Sequence, residues 1–418
     1  MRLTLLAALC AVILPVGACA QAASSPPWIR LAGQAIPVLT RTNAVPGGTA
    51  TTEARLAQPV LMLQAGALAD RVRFDAMADA EGWTMPNGEL TTGAYGEGYY
   101  DRRHPHTYIH ELMLTLPDLL RDLGWPARVA LAAGKGFAPF GTDDPMSRPP
   151  MLYPVNHHLS QVLERAVAVA AVRTARDHVT IEGGIFNGDE PEYPSQWPNW
   201  SRFGDSWAVR LTVTPAANVE WQGSRAHVHS PEQRPGAGTD AEKWSTSLRV
   251  ERGPGYGLLE WARTSEAGGL FVFHTLLAEG AWRVARHRPY VRLERTERPE
   301  EERVADNQFR SARPHLDNSI VGTTRWTIGT LGYGYVVPAA SQRLTLQPSI
   351  ELAIAGVTRV SNGLFDPAVF YGRRRFYSLS FGVRMDWGMA GHRMGHYAGP
   401  PMTPEMAMPG MDHMSEGR

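Results

Sequence analysis

The most regular stretch of the chain is 376–387, Phe-Tyr-Ser-Leu-Ser-Phe-Gly-Val-Arg-Met-Asp-Trp, where apolar and polar residues alternate without a break. An extended strand sends successive side chains to opposite faces. Tyr377, Leu379, Phe381, Val383, Met385 and Trp387 therefore share one face, and Ser378, Ser380, Gly382, Arg384 and Asp386 the other. Strands of soluble proteins run to about five or six residues. A strand crossing a bilayer needs about 9 to 11, apolar outward, polar inward and aromatic at the ends of the apolar band. The length and aromatic ends of 376–387 fit the second description.

The same alternation places Trp207, Val209, Leu211 and Val213 outward against Arg210 and Thr212, and Leu248 and Val250 against Arg249 and Glu251. It also sets Val291 and Leu293 against Arg292 and Glu294, and Trp326 and Ile328 against Arg325 and Thr327. The inward set mixes arginine and glutamate, which suits a wet lumen, because such charges on a lipid face would cost roughly 2–4 kcal/mol at the midplane.

Connections alternate in length. Pro215–Asn218, Gly253–Tyr256 and Pro338–Gln342 read as tight turns. Glu81–Arg103, Phe137–His158, Asn187–Asp205, His229–Lys243, Pro299–Ser319 and Ser361–Arg374 read as long loops rich in Pro, Gly, Asp, Asn and Trp. The expected fold is all-β, a transmembrane antiparallel β-barrel of about 14 to 16 strands between Ile36 and Trp387, with short periplasmic turns and long outer loops. An even strand number returns both termini to the periplasm. A soluble sandwich or propeller would also alternate, but no repeat of fixed period marks propeller blades.

Composition narrows the class. With 418 residues, 43% hydrophobic and formal net charge zero, the chain is too polar for a helical membrane protein, and its charge balance gives no sign of nucleic-acid binding. Arg2, the apolar run Leu3–Val16 and the small residues Ala18 and Ala20 have the layout of a secretory signal peptide over 1–20. Cys10 and Cys19 both lie in it, so cleavage after Ala20 leaves no thiol for disulfides, catalysis or metal binding. Val16, Gly17 and Ala18 before Cys19 also resemble a lipobox, which would make Cys19 a lipidated N-terminus. Beyond the signal, the expected divisions are 21–57, an N-terminal segment with a first strand, 58–388, the barrel, and 389–418, a disordered tail.

The segment Gly134-Lys135-Gly136-Phe137-Ala138-Pro139-Phe140-Gly141 resembles one seen in Gram-negative porins, especially those grouped with phosphate-selective porins. The resemblance covers these eight residues and implies that Lys135 faces a pore near an inward-folding loop, where cationic groups favour anions. The full expected pore-lining set is Lys135, Arg210, Arg249, Glu251, Arg292, Glu294, Arg325 and Arg384. His104, His106 and His110 would point one way on a strand and invite zinc or copper, but Leu112, Leu114 and Leu116 share their parity and would turn them to lipid.

No Gly-x-Ser-x-Gly elbow occurs, and the serines near His106 and His229 have no distinctive spacing, so no catalytic residue is expected. A barrel lipid hydrolase, with a triad assembled across strands, is the enzymatic alternative.

The tail differs from everything before it. Met389, Met394, Met402, Met406, Met408, Met411 and Met414 stand there with His392, His396 and His413, among glycines and prolines that preclude a regular element. Thioether and imidazole ligands suit Cu(I), and Met408–Met414 resembles the Met- and His-rich motifs of bacterial copper-resistance proteins. The expectation is an outer-membrane, porin-like channel for small solutes or ions. Lipid and solute are its partners, it requires no cofactor, and its periplasmic tail is a candidate copper site. A plugged structural or metal-handling barrel is the alternative, and the pattern leaves the oligomeric state open.

Overall fold

The computed structural model describes residues 26–44, 49–84, 107–142, 147–155, 160–174, 176–191, 193–231, 238–301, 320–337, 344–360, 366–388 and 395–397. Sixteen strands make up its wall. They are β1 (Trp28–Thr42), β2 (Thr51–Ala67), β3 (Val72–Asp79), β4 (Ile109–Leu116), β5 (Ala127–Gly136), β6 (Arg165–Thr174), β7 (Val179–Phe186) and β8 (Ser206–Ala216). The second half comprises β9 (Val219–Val228), β10 (Ala241–Arg252), β11 (Gly255–Glu266), β12 (Phe271–Trp282), β13 (His287–Glu301), β14 (Ile320–Tyr335), β15 (Leu344–Arg359) and β16 (Arg375–Trp387).

Each strand pairs antiparallel with its neighbour in sequence, and β1 pairs with β16 from Gly33↔Trp387 to Thr42↔Ser378, so the barrel is closed. Closure leaves no edge of unpaired amides, the condition for a sheet in hydrocarbon. The wall begins at Trp28, well before the expected boundary at residue 58, because 28–42 and 51–67 are the first two strands. No helix among the described residues is long and apolar enough to cross a membrane.

One rim carries the short connections 68–71, 175–178, 217–218, 253–254 and 283–286. The other carries 80–108, 137–164, 187–205, 302–319 and 360–374. The loop rim also carries 43–50 and 229–240 and the turn rim 117–126 and 336–343, and on the loop rim 267–270 joins β11 to β12 tightly. At the turn rim Arg71 clamps the 117–126 turn by a two-pronged bond to Asp122, 2.6 and 2.7 Å. That hydrogen bond holds the Asp122 carboxyl below its ordinary range.

The outer face is an apolar band: Leu293 is 58% exposed, Leu331 65% and Ile354 61%, with Leu259, Leu276 and Phe381 at similar values. The residues between them on the same strands, Arg292, Glu260, Leu277, Glu351 and Ser380, are buried inside. For β8, β10, β13 and β16 the inside and outside sets fall as the alternation predicts.

In β14 the phase is reversed. Trp326 and Ile328 are 1% and 3% exposed and face inward with Thr324 and Thr330, while Arg325 and Thr327 face out. Trp326 is inside because it has an aromatic nest there. Phe376 lies 5.2 Å from it and Tyr371 5.4 Å edge-on, with the Arg298 guanidinium 5.0 Å over its ring.

Candidate functional site

The lumen is the one concave feature common to all sixteen strands, and the loop 137–164 occupies it. The loop is apolar where it leaves β5: Phe137, Ala138 and Phe140 are buried, as are Met151, Leu152, Tyr153, Val155 and Val162 further on. Hydrophobic side chains in a loop find no burial outside the wall, so the loop folds inward. Gly141 makes the turn possible. Its φ is +77°, and a Cβ there would collide with the Ser160 carbonyl oxygen.

Wall charges then fasten the loop's backbone. Arg292 donates to the Leu152 carbonyl oxygen at 2.7 Å and to Glu279 at 2.7 Å. The amides of Met151 and Val155 donate to Glu351 and Glu294 at 2.5 and 2.8 Å. Arg384 donates to the Pro150 carbonyl at 3.1 Å, and Arg148 of the loop reaches Glu260 at 3.1 Å. Tyr290 donates to Glu351 at 2.9 Å. On the opposite side Arg210 binds Glu182 at 2.7 Å and the Gly141 carbonyl at 3.5 Å. A buried loop must satisfy its amides and carbonyls, and the inward charges of the wall do so here. Between loop and wall lies a gap of about 10 Å³, close to the room one water needs, lined by Arg292, Glu294, Glu351, Thr330, Ser378 and Ser380 among others.

Of the expected pore-lining residues, Arg210, Arg292, Glu294 and Arg384 meet on the inward face as partners of the loop or of one another. Arg249 and Glu251 pair with each other at 2.8 Å near the turn rim, where Glu251 is exposed. Two residues belong elsewhere. Arg325 is on the outer face beside Glu297 at 2.5 Å, because β14 runs in the opposite phase.

Lys135 also faces away from the lumen. It stands opposite Leu112, which is exposed to the outside, while Gly136 faces inward. Its ammonium is roofed by the Thr107 hydroxyl and the Trp197 ring, 5.7 Å away. Alternation misses Glu182, Glu260, Glu279 and Glu351 only if each is not read in its own strand. Ile350-Glu351-Leu352 and Leu259-Glu260-Trp261 carry the signal. Arg148 has no such signal, since it lies in the loop.

His110 turns inward although Leu112 and Leu114 turn out. The register slips between Met77 and Ala78, so His110 is the extra residue of a bulge. Its Nε2 sits 2.5 Å from Glu164, and its ring packs edge-on against Phe137. His104 and His106 lie outside the described residues. Among the described residues no cluster of His, Cys, Asp and Glu could hold a metal.

His229 binds Asp240 through its ring at 2.5 Å, whereas Ser206 meets only its backbone amide. Those contacts are not those of a serine–histidine pair.

Of the tail candidates only His396 is described; Met389, His392, Met394, Met402, Met406, Met408, Met411, His413 and Met414 lie outside the described residues. His396 is not in the space below the turn rim where a periplasmic tail would hang. It lies inside the barrel between Gly395 and Tyr397, both buried.

The closed sixteen-stranded antiparallel barrel is a fold that the chain shares with a solved porin. The chain is similar to the solved structure of an anion-selective porin from Comamonas acidovorans, at TM-score 0.51 and 10% identity over 86% of this chain and all of that one. OmpT of Vibrio cholerae gives 0.49 at 9% identity over 88% and 99% of the two chains, and OprB of Pseudomonas putida 0.49 at 8% over 87% and 94%. At such identities the likeness is one of fold. No protein-family model and no curated relative matches the sequence.

Proposed function

We propose that this chain is an outer-membrane, porin-like channel for small solutes or ions. The observation that carries the reading is the loop 137–164, whose described residues are held inside the lumen by charged wall groups. In a channel, an inward loop fixed by wall charges sets the width and the field of the lumen. The outward apolar band suits lipid, and in that setting the turn rim faces the periplasm and the loop rim the exterior. The test is conductance of the purified protein in planar bilayers. Discrete ion-conducting steps support the channel, and silent insertion would favour a plugged structural barrel.

A second reading, metal handling, has one observation behind it: seven of the 15 methionines and three histidines fall within the last 30 residues. In this reading the methionines from Met389 to Met414, with His392, His396 and His413, take Cu(I) in preference to Zn(II), because thioether sulfur is soft and uncharged. A synthetic peptide of 389–418 should compete with a Cu(I) chelator. Affinity no better than a scrambled control lacking Met and His would end that reading.

A further inference from the structure

The three described residues beyond the wall, Gly395, His396 and Tyr397, are seated on the inward loop, far from where β16 ends. Gly388 takes a φ of +61° just after Trp387, where a Cβ would press on the Leu31 carbonyl oxygen, so the chain leaves the sheet there. The eight residues from Gly388 to Gly395 can span about 26–29 Å when extended. That reach is comparable with the roughly 25 Å height of an apolar band.

The receiving site is built from wall and loop together. The Tyr397 hydroxyl accepts a hydrogen bond from the Phe137 amide at 3.0 Å and is hydrogen-bonded to the Glu111 side chain. Its ring is 5% exposed and packs with Met113, Phe140, Phe186, Val167 and Val169. Gly136 is the reason the ring fits, since a Cβ there would strike the hydroxyl. Arg210, besides holding Glu182 and the loop, donates to the Gly395 carbonyl at 2.5 Å. One guanidinium thus ties wall, loop and C-terminal segment.

We infer that Glu111, Arg210 and the Phe137 amide form a peptide-binding site whose ligand is the chain's own Gly-His-Tyr segment, and that its occupation closes the passage on that side of the loop. This rests on the channel reading. The segment contributes no strand to the sheet, and the β1–β16 seam is complete without it, so it is an occupant of the lumen rather than part of the wall.

The test uses the full-length protein. Tyr397→Phe keeps the ring and deletes both hydrogen bonds, and should raise the open fraction in planar bilayers roughly tenfold. A synthetic peptide of residues 391–400 should block the opened variant, and its Tyr→Ala version should not. Separately, Phe137→Cys with Gly395→Cys places two thiols where a Cβ on 395 lies 3.0 Å from that of 137, below the roughly 3.5–4.5 Å of a disulfide, so the backbone at 395 must give slightly for the bond to close. The pair should oxidise in the folded barrel and lower its conductance until reduced. In a barrel that conducts, equal conductance in parent and Tyr397→Phe would overturn the inference. A disulfide that forms in a barrel that never conducts would uphold the docked segment and overturn the channel reading instead.

Discussion

Arg292 on β13 donates a 2.7 Å hydrogen bond to the carbonyl oxygen of Leu152, 140 residues earlier in the chain, and so ties the inward loop to the wall. The same guanidinium holds Glu279, and both charges are fully enclosed. Reversing it with Arg292→Glu would set a fourth carboxylate beside Glu279, Glu294 and Glu351. Removing one partner of a buried ion pair costs about 3–5 kcal/mol, so the variant should lose loop anchorage before it changes ion selectivity. Arg249→Glu disturbs only a half-exposed pair near the rim, worth about 0–1 kcal/mol. The temperature at which each barrel unfolds on gels should fall for Arg292→Glu and stay for Arg249→Glu. Equal temperatures would remove Arg292 from the loop's support.

The closed hydrogen-bond ladder makes a separate prediction. With every strand paired on both sides, detergent alone should not open the wall. Unheated and boiled samples should migrate differently, and identical migration together with solubility without detergent would contradict a membrane barrel.

Gly141 is the hinge on which the loop enters. A valine there meets both the positive φ, a strain of about 1–3 kcal/mol, and the Ser160 carbonyl oxygen. Gly141→Val should leave the wall intact while exposing 137–164 to protease in inserted barrels. Protection equal to the parent's would mean the loop is held in place without this turn.

At the turn rim the Arg71–Asp122 clamp is fully exposed and its effect is local. Because Asp122 is held below its ordinary range in the fold, the clamp is present above that range and is lost as pH falls through the lowered value. The Asp122 carboxyl resonance should titrate at a higher midpoint in Arg71→Gln than in the parent. Coincident midpoints would show that the bond does not form in solution.

The fold was legible because a lipid-facing wall obeys a two-residue period for ten residues at a time, and β8, β10, β13 and β16 keep it. Within the site, alternation assigned Arg210, Arg292, Glu294 and Arg384 to the inside. It failed where something other than lipid decides the environment. Trp326 is inward because an aromatic nest replaces water there. His110 is inward because one extra residue resets the parity, and no residue type announces a bulge. Lys135 is outward because other loops roof that part of the wall. The docked Tyr397 had no periodic signal, since its burial comes from contacts with residues far earlier in the chain. A lone tyrosine among glycines, Met and His reads as tail.

The seam between β1 and β16 has a consequence for biogenesis. Thr42 must find Ser378, a partner 336 residues later in the chain. Pairing of such long sequence separation is slow, since loop-closure entropy is lost before any contact compensates it. Until Trp387 is in place the growing sheet has two open edges, each a template for a strand of another molecule. The first strand therefore waits, exposed, for the last. A chain cut anywhere before β16 should be a substrate for aggregation or proteolysis rather than a smaller barrel.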